Sequence, residues 1–146
     1  MEKLFGVCVP VCSVFDENEA LNEKAYLAHV DAMLEAGVHI ILACGGTGEF
    51  AYLRTEEKRR LIEITAKHID GKAALVAQTS AISLRDTIEE TLHAVDQGVD
   101  AVMVLPPYFE GPDAGGVYNH FEQVARISDV PLMLYNIPVH SGFDIT

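Results

Sequence analysis

The chain has 146 residues, 49% of them hydrophobic, which suffices for one domain with a real core; a mean hydropathy of +0.18 agrees. The formal charge of −12 argues against nucleic acid and anionic membrane as partners, because both attract basic patches. The same acidity is what a solvated helical surface produces.

Cys8, Cys12 and Cys44 form an odd set with no paired C-x-x-C spacing, so no zinc site is expected. Cys8 and Cys12 sit in an apolar run and read as small buried hydrophobes. A reducing cytoplasm fits that cysteine usage. Met1-Glu2-Lys3 leads straight into a strand-like segment, so no secretory leader is expected. No apolar run reaches the ~18 residues of a membrane span.

The elements alternate along the chain. Val7 to Phe15 is apolar and β-branched, a strand pattern. Asn22 to Ala36 places Tyr26, Leu27, Val30, Met33 and Leu34 at helical spacing, and Gly37 closes the helix. Val38 to Cys44 is again strand-like. Thr55 is expected to cap a helix continued by Leu61, Ile62 and Ile64, with Lys58 at the capping-box position. Ala73 to Gln78 forms a third strand, and Ser83 to Gln97 a helix ended by Gly98. Val99 to Leu105, Gly116 to Ile127 and Val130 to Tyr135 give a strand, a helix and a strand. The expectation is a single α/β domain over residues 1–146, with about five strands and four helices.

Apolar strands alternating with amphipathic helices imply a parallel sheet covered by helices. Two architectures satisfy the pattern, a doubly wound open sheet and a section of a (β/α)8 barrel. No G-x-G-x-x-G follows the first strand, which disfavours dinucleotide binding. In both architectures chemistry belongs at the carboxyl ends of the strands.

Candidate residues concentrate at those ends. Gly45-Gly46-Thr47-Gly48 follows a buried strand; its glycines permit close backbone approach, and successive N–H groups can face an anion. Thr47 adds a hydroxyl. The loop would hold a small carboxylate, or it is simply a tight turn. Tyr135 ends the fifth strand and could relay a proton, or it satisfies one buried hydrogen bond. Pro106-Pro107 fixes an extended exit from the fourth strand. Beyond it, Tyr108 could line a pocket and Phe109 shield it, or both only pack. Glu49 braces the glycine turn more readily than it catalyses. His140 and Ser141 lie near Tyr135 and could meet a polar substrate. His120 reads as a surface or packing residue of a helix. Asp16, Glu17 and Glu19 are spaced unlike a calcium loop and read as a solvated loop.

Taken together, Val9-Pro10 through Phe15, Gly45-Gly46-Thr47-Gly48-Glu49, Leu53 through Lys58, Pro106-Pro107-Tyr108, Tyr135-Asn136-Ile137-Pro138 and Gly142 form a pattern. With it the chain resembles the dihydrodipicolinate synthase / N-acetylneuraminate lyase family of pyruvate-type Schiff-base aldolases. The resemblance runs through essentially the whole chain. It implies a (β/α)8 barrel, here truncated to its N-terminal part. It implies a lyase, aldolase or dehydratase acting on pyruvate or a 2-keto-3-deoxy sugar acid, with no metal or organic cofactor. Gly46 and Thr47 would hold the keto-acid carboxylate and Tyr135 would shuttle the proton. Tyr108 would lie near a subunit contact, and His140 would stand where the family's synthases place a substrate-binding arginine.

Departures from the family pattern are informative. Gly46-Thr47 replaces a threonine pair and Phe109 a second tyrosine, which breaks the synthases' proton relay and argues against lysine biosynthesis. The imine-forming lysine of the family lies on a sixth strand, which this chain lacks. None of Lys3, Lys24, Lys58, Lys67 and Lys72 is a natural replacement. A complete barrel needs ~250 residues. A five-strand open sheet leaves edges that favour self-association, so a homo-oligomer is expected and the isolated chain should be inactive. The alternative is a non-catalytic keto-acid-binding half-barrel that self-associates.

Overall fold

The computed structural model describes residues 3–146; Met1 and Glu2, at the start where no leader is expected, lie outside them. The described chain runs β1 (Cys8–Pro10), α1 (Glu23–Glu35), β2 (Ile40–Ala43), α2 (Thr55–Ile69), β3 (Ala74–Gln78), α3 (Leu84–Asp96), β4 (Ala101–Val104), α4 (Ala114–Ile127), β5 (Leu132–Leu134) and α5 (Pro138–Ser141). All neighbouring strands pair in parallel, and their order in the sheet is the order of the sequence. A doubly wound sheet reverses its order at a switch point. The sequential order therefore selects the barrel section over the open sheet.

Strand alternation gives the sheet two different faces. Ile41, Ala43, Leu75, Ala77 and Val102 join Tyr26, Val30, Leu61, Ile62 and Ile64 in the core beneath the helices. Ile40, Leu42, Ala74, Val76, Ala101 and Met103 form a second cluster on the opposite, inner face, against which Tyr135 packs. This inner cluster corresponds to the side-chain layers that fill a barrel.

The helices start and stop where local chemistry directs. Side chains of Asn22, Ser83 and Asp113 accept from the backbone N–H groups of Ala25, Asp86 and Gly116. Gly37 and Gly98 take positive φ just beyond α1 and α3, the left-handed stop that glycine adopts without a Cβ penalty. α2 corrects one expectation: Arg54, not Thr55, is the cap residue. The box partner is Glu57, whose Oε2 accepts from the Arg54 N–H at 2.8 Å. α4 begins two residues before the expected Gly116, because Asp113 supplies the cap.

Other expectations also change. β1 is much shorter than Val7 to Phe15. After Val11 donates to the Leu42 carbonyl the chain leaves the sheet. It turns at Asp16, whose Oδ1 accepts from the N–H groups of Asn18 and Ala20. Cys8 and Cys12 are exposed rather than buried, and Cys44 alone is buried. Cys8, on β1, pairs with Ile40 of β2, and β1 is an edge strand with no further strand beside it among the described residues, so its apolar surroundings in sequence do not become apolar surroundings in space. A fifth helix, α5, joins the four expected from sequence. His120 is a packing residue: it is buried, and its ring meets Phe121 edge-to-face at 5.6 Å. Burial holds its imidazole below the ordinary value, with the Leu105 backbone pulling the other way. No helix among the described residues is long and apolar enough to cross a membrane.

Candidate functional site

The glycine loop after β2 is built by its own backbone. Gly48 and Glu49 N–H groups donate to the Gly45 and Gly46 carbonyls, each at 3.0 Å. The Ser13 hydroxyl, from the segment after β1, donates to the Gly48 carbonyl at 2.7 Å. Cys44 and Glu49 flank the loop with φ of 56° and 59°, the left-handed region that non-glycine residues enter at some cost. Glu49 thus braces the turn through its backbone. The N–H groups of Gly46 and Thr47 make no hydrogen bond among the described residues, and both residues are exposed at the loop's lip. Two adjacent free N–H groups beside a hydroxyl can hold an anionic oxygen.

Tyr135 extends the β4–β5 ladder, its N–H donating to the Val104 carbonyl at 2.9 Å. Its side chain turns onto the inner face and is half-buried. Pro138 then starts α5, and Gly142 closes it with φ 70°. Asn136 ties down the segment beyond α5: its amide donates to Asp144 Oδ1 at 2.8 Å and its Oδ1 accepts from the Ile145 N–H at 3.1 Å. Ser141 is buried, its hydroxyl bonded to the Ile137 and Phe143 carbonyls, so it is structural rather than turned to a substrate.

These ends meet. A cavity of about 510 Å³ is lined by Gly46 and Thr47 from the β2 loop, Tyr108 beyond β4, Tyr135 beyond β5 and His140 on α5. The five residues to which the resemblance assigns a role therefore share one cavity, and Glu49 lines it as well. Phe109 does not line it and is 67% exposed. Tyr108 packs edge-to-face on Phe50 with ring centroids 6.2 Å apart, and burial pushes its phenol up. No lysine among the described residues lines the cavity. Lys3 pairs with Asp100 at 3.2 Å, while Lys24, Lys58 and Lys67 lie on helices and Lys72 on the connection before β3.

Sequence reasoning missed Phe50, Tyr52, Leu105 and Ile137 as lining residues. Two aromatic residues just past a glycine loop were the available signal. Leu105 and Ile137 carry none, since a buried leucine or isoleucine reads as core.

Parallel βα units in sequential order, with a polar-rimmed cavity at the carboxyl ends of the strands, define a section of a (β/α)8 barrel. Comparison with known proteins gives the family. The dihydrodipicolinate synthetase family matches residues 3–146. The 4-hydroxy-tetrahydrodipicolinate synthases of Brucella abortus and Bartonella henselae are 36% and 33% identical to it, over 98% and 97% of this chain. Among solved structures, YagE, a prophage protein of the dihydrodipicolinic acid synthase family from E. coli K12 in complex with pyruvate, superposes with a TM-score of 0.95 at 31% identity. That match covers 98% of this chain and 48% of YagE. The dihydrodipicolinate synthase of Aquifex aeolicus gives 0.93 at 31% identity, over 97% of this chain and 48% of that one. This chain belongs to the dihydrodipicolinate synthetase family. It spans about half the length of the relatives it matches, 49% and 48% of the two synthases.

Proposed function

We propose that this chain carries the keto-acid-capturing half of a Schiff-base lyase site, acting on pyruvate or a 2-keto-3-deoxy sugar acid. The observation that carries it is the single cavity joining the free N–H groups of Gly46 and Thr47 to the Tyr135 phenol. The carboxylate of the keto acid sits on Gly46 and Thr47. A lysine from a strand outside this chain adds to the C2 carbonyl and water leaves, giving the imine. Loss of a C3 proton gives the enamine, and Tyr135 moves protons at the substrate oxygens. Tyr108 and His140 line the approach and meet the rest of the substrate. The residue at Gly46 has no hydroxyl to pass a proton, which favours an acceptor other than that of the synthases. Neither a metal nor an organic cofactor enters this chemistry. The site works in a homo-oligomer in the cytoplasm.

The test is pyruvate binding by calorimetry, combined with intact mass after borohydride treatment. The expected result is binding that Thr47→Val weakens, with the mass unchanged near 15.9 kDa. A reduced pyruvyl adduct would overturn the placement of the amine outside this chain. Absence of binding in a folded sample would overturn carboxylate capture.

One observation favours a second role, that of a non-catalytic keto-acid-binding half-barrel that self-associates. β5 is a sheet edge, and its Met133 and Leu134 are 39% and 47% exposed. Such an edge is a template for pairing with another copy. Sedimentation showing a dimer that binds pyruvate without any turnover after addition of the remaining barrel would select this role.

A further inference from the structure

Gln78 is the last residue of β3 and a polar group at the end of an otherwise apolar strand. It alternates with Ala74 and Val76, which puts it on the inner face with Tyr135. Register places it next to Met103 on one side and, one residue beyond the Ala43–Ala77 pair, beside Cys44 at the root of the glycine loop on the other. Its connection to the cavity runs through Ser80 to Leu105. Gln78 Oε1 accepts from the Ser80 hydroxyl at 2.8 Å and the Ser80 N–H at 3.3 Å. The Ser80 hydroxyl accepts in turn from the N–H of Leu105, a cavity-lining residue, at 2.7 Å.

That chain of contacts fixes which way the carboxamide faces. The Ser80 hydroxyl, accepting from the Leu105 N–H, donates its own hydrogen to Gln78 Oε1. The Ser80 N–H also needs an acceptor there. A flipped amide would set Nε2–H against that backbone N–H, donor against donor. The nitrogen is therefore turned away from Ser80. Nε2 has no hydrogen-bond partner among the described residues and is buried, in a residue only 1% exposed. Two buried N–H donors without a protein acceptor are costly unless an acceptor reaches them in the working state.

We propose that Gln78 is a specificity-determining residue of this site, donating Nε2–H to a carboxylate oxygen of the bound keto acid. The proposal rests on the keto-acid function above and extends it. Gln78 lies on β3, beside the β2 loop where Gly46 and Thr47 offer their N–H groups, so the carboxylate is the nearest part of the ligand. An amide donor costs nothing to keep neutral and favours an anionic acceptor over a neutral carbonyl. Ligands with a carboxylate next to the keto group bind, and the corresponding amides do not.

The test uses sodium pyruvate as probe, titrated at about pH 8 and about pH 5 into wild type, Gln78→Glu, Gln78→Met and Thr47→Val. Gln78→Glu keeps both acceptor contacts to Ser80 but turns the donor into an anion. Its affinity should fall at least ~10-fold at the higher pH and recover toward wild type at the lower, where a protonated carboxyl donates. Gln78→Met should lose ~10-fold or more at both. Gln78→Met brings no charge, so its loss at both pH values separates the missing donor from repulsion by a new anion. In wild type, the Gln78 side-chain amide resonances should shift on saturation with pyruvate, a readout that needs no folded variant. Unmoved resonances, or Gln78 variants binding within about twofold of wild type while Thr47→Val loses affinity, would overturn the role of Gln78 and leave the keto-acid site standing. Folded wild type that does not bind pyruvate would overturn both.

Discussion

Gly48 is wedged between the two segments that shape the glycine loop. A Cβ built there lies 2.9 Å from the Val11 carbonyl oxygen and 3.3 Å from the Cys44 Cα. Both neighbours are backbone, so neither can rotate aside, and relief requires moving the end of β1 or the root of the loop. Overpacking of this kind costs about 1–3 kcal/mol. Restricting the unfolded chain at the same position returns about 0.4–1 kcal/mol. Gly48→Ala should therefore destabilise by roughly 1–2 kcal/mol, about 3–6 °C in Tm for a chain of this size. Gly46 is the control: among the described residues nothing lies within 4 Å of its built Cβ. Gly46→Ala should stay within about 0.5 kcal/mol of wild type. The assay is thermal melting by circular dichroism, with pyruvate titration of each variant. Gly48→Ala should also weaken pyruvate binding, because the Ser13 brace on its carbonyl moves with it. Equal melting of Gly48→Ala and wild type, or an equal loss in Gly46→Ala, would refute the steric argument.

Tyr26→Phe removes a buried phenol that bonds Thr65 Oγ1 at 2.7 Å. Thr65 keeps the Leu61 carbonyl, so urea unfolding should show a loss of about 1 kcal/mol rather than more. Burial pushes the Cys44 thiol up to about 12 from 9.0. Between those pH values the unfolded chain holds fewer protons than the folded one, so stability falls as pH rises, and it is complete below the lower value. Tyr26, raised by burial in the same way, adds to the loss at higher pH. Cys44→Ala should flatten the alkaline limb in melts taken from about pH 8 upward; an unchanged slope would count against the buried thiol. Arg59 holds the buried Glu90 carboxylate through Nε at 3.0 Å and a second nitrogen at 2.7 Å. Arg59→Met should cost about 1–3 kcal/mol, below the full buried-pair value because Arg59 is partly solvated, while Arg126→Met on the exposed Glu122 pair should cost under about 0.5 kcal/mol. Tyr135→Phe, tested in this chain joined to a half-barrel bearing the imine lysine, should lower turnover ~10²-fold; an unchanged rate would remove Tyr135 from the proton path.

Much of the fold is legible in the chain because its signals are local. The stripes of α1 and α3, their glycine stops, and the caps at Asn22 and Ser83 depend on residues within one or two turns of each other. The apolar strands β2, β3 and β4 are buried on both faces, so composition alone marks them. β1 and β5 are less legible in extent, being short strands at the sheet edges. α5 carries no periodic pattern in four residues; only Pro138 and Gly142 bracket it.

For the site, the sequence by itself determined which residues could do chemistry: glycines that let N–H groups face an anion, a phenol closing a strand, and a chain whose lysines fall on a terminus, helices or a connection. It could not determine the order of strands in the sheet, and so could not separate a barrel section from a doubly wound sheet. Pairing between strands some thirty residues apart made that choice. It also brought Gly46, Thr47, Tyr108, Tyr135 and His140 to one cavity. The exposure of Cys8 and Cys12 and the orphaned donor of Gln78 were likewise decided only in three dimensions. Burial and hydrogen-bond satisfaction belong to what surrounds a side chain in space, and a neighbour along the chain says little about which face, edge or partner that side chain will meet.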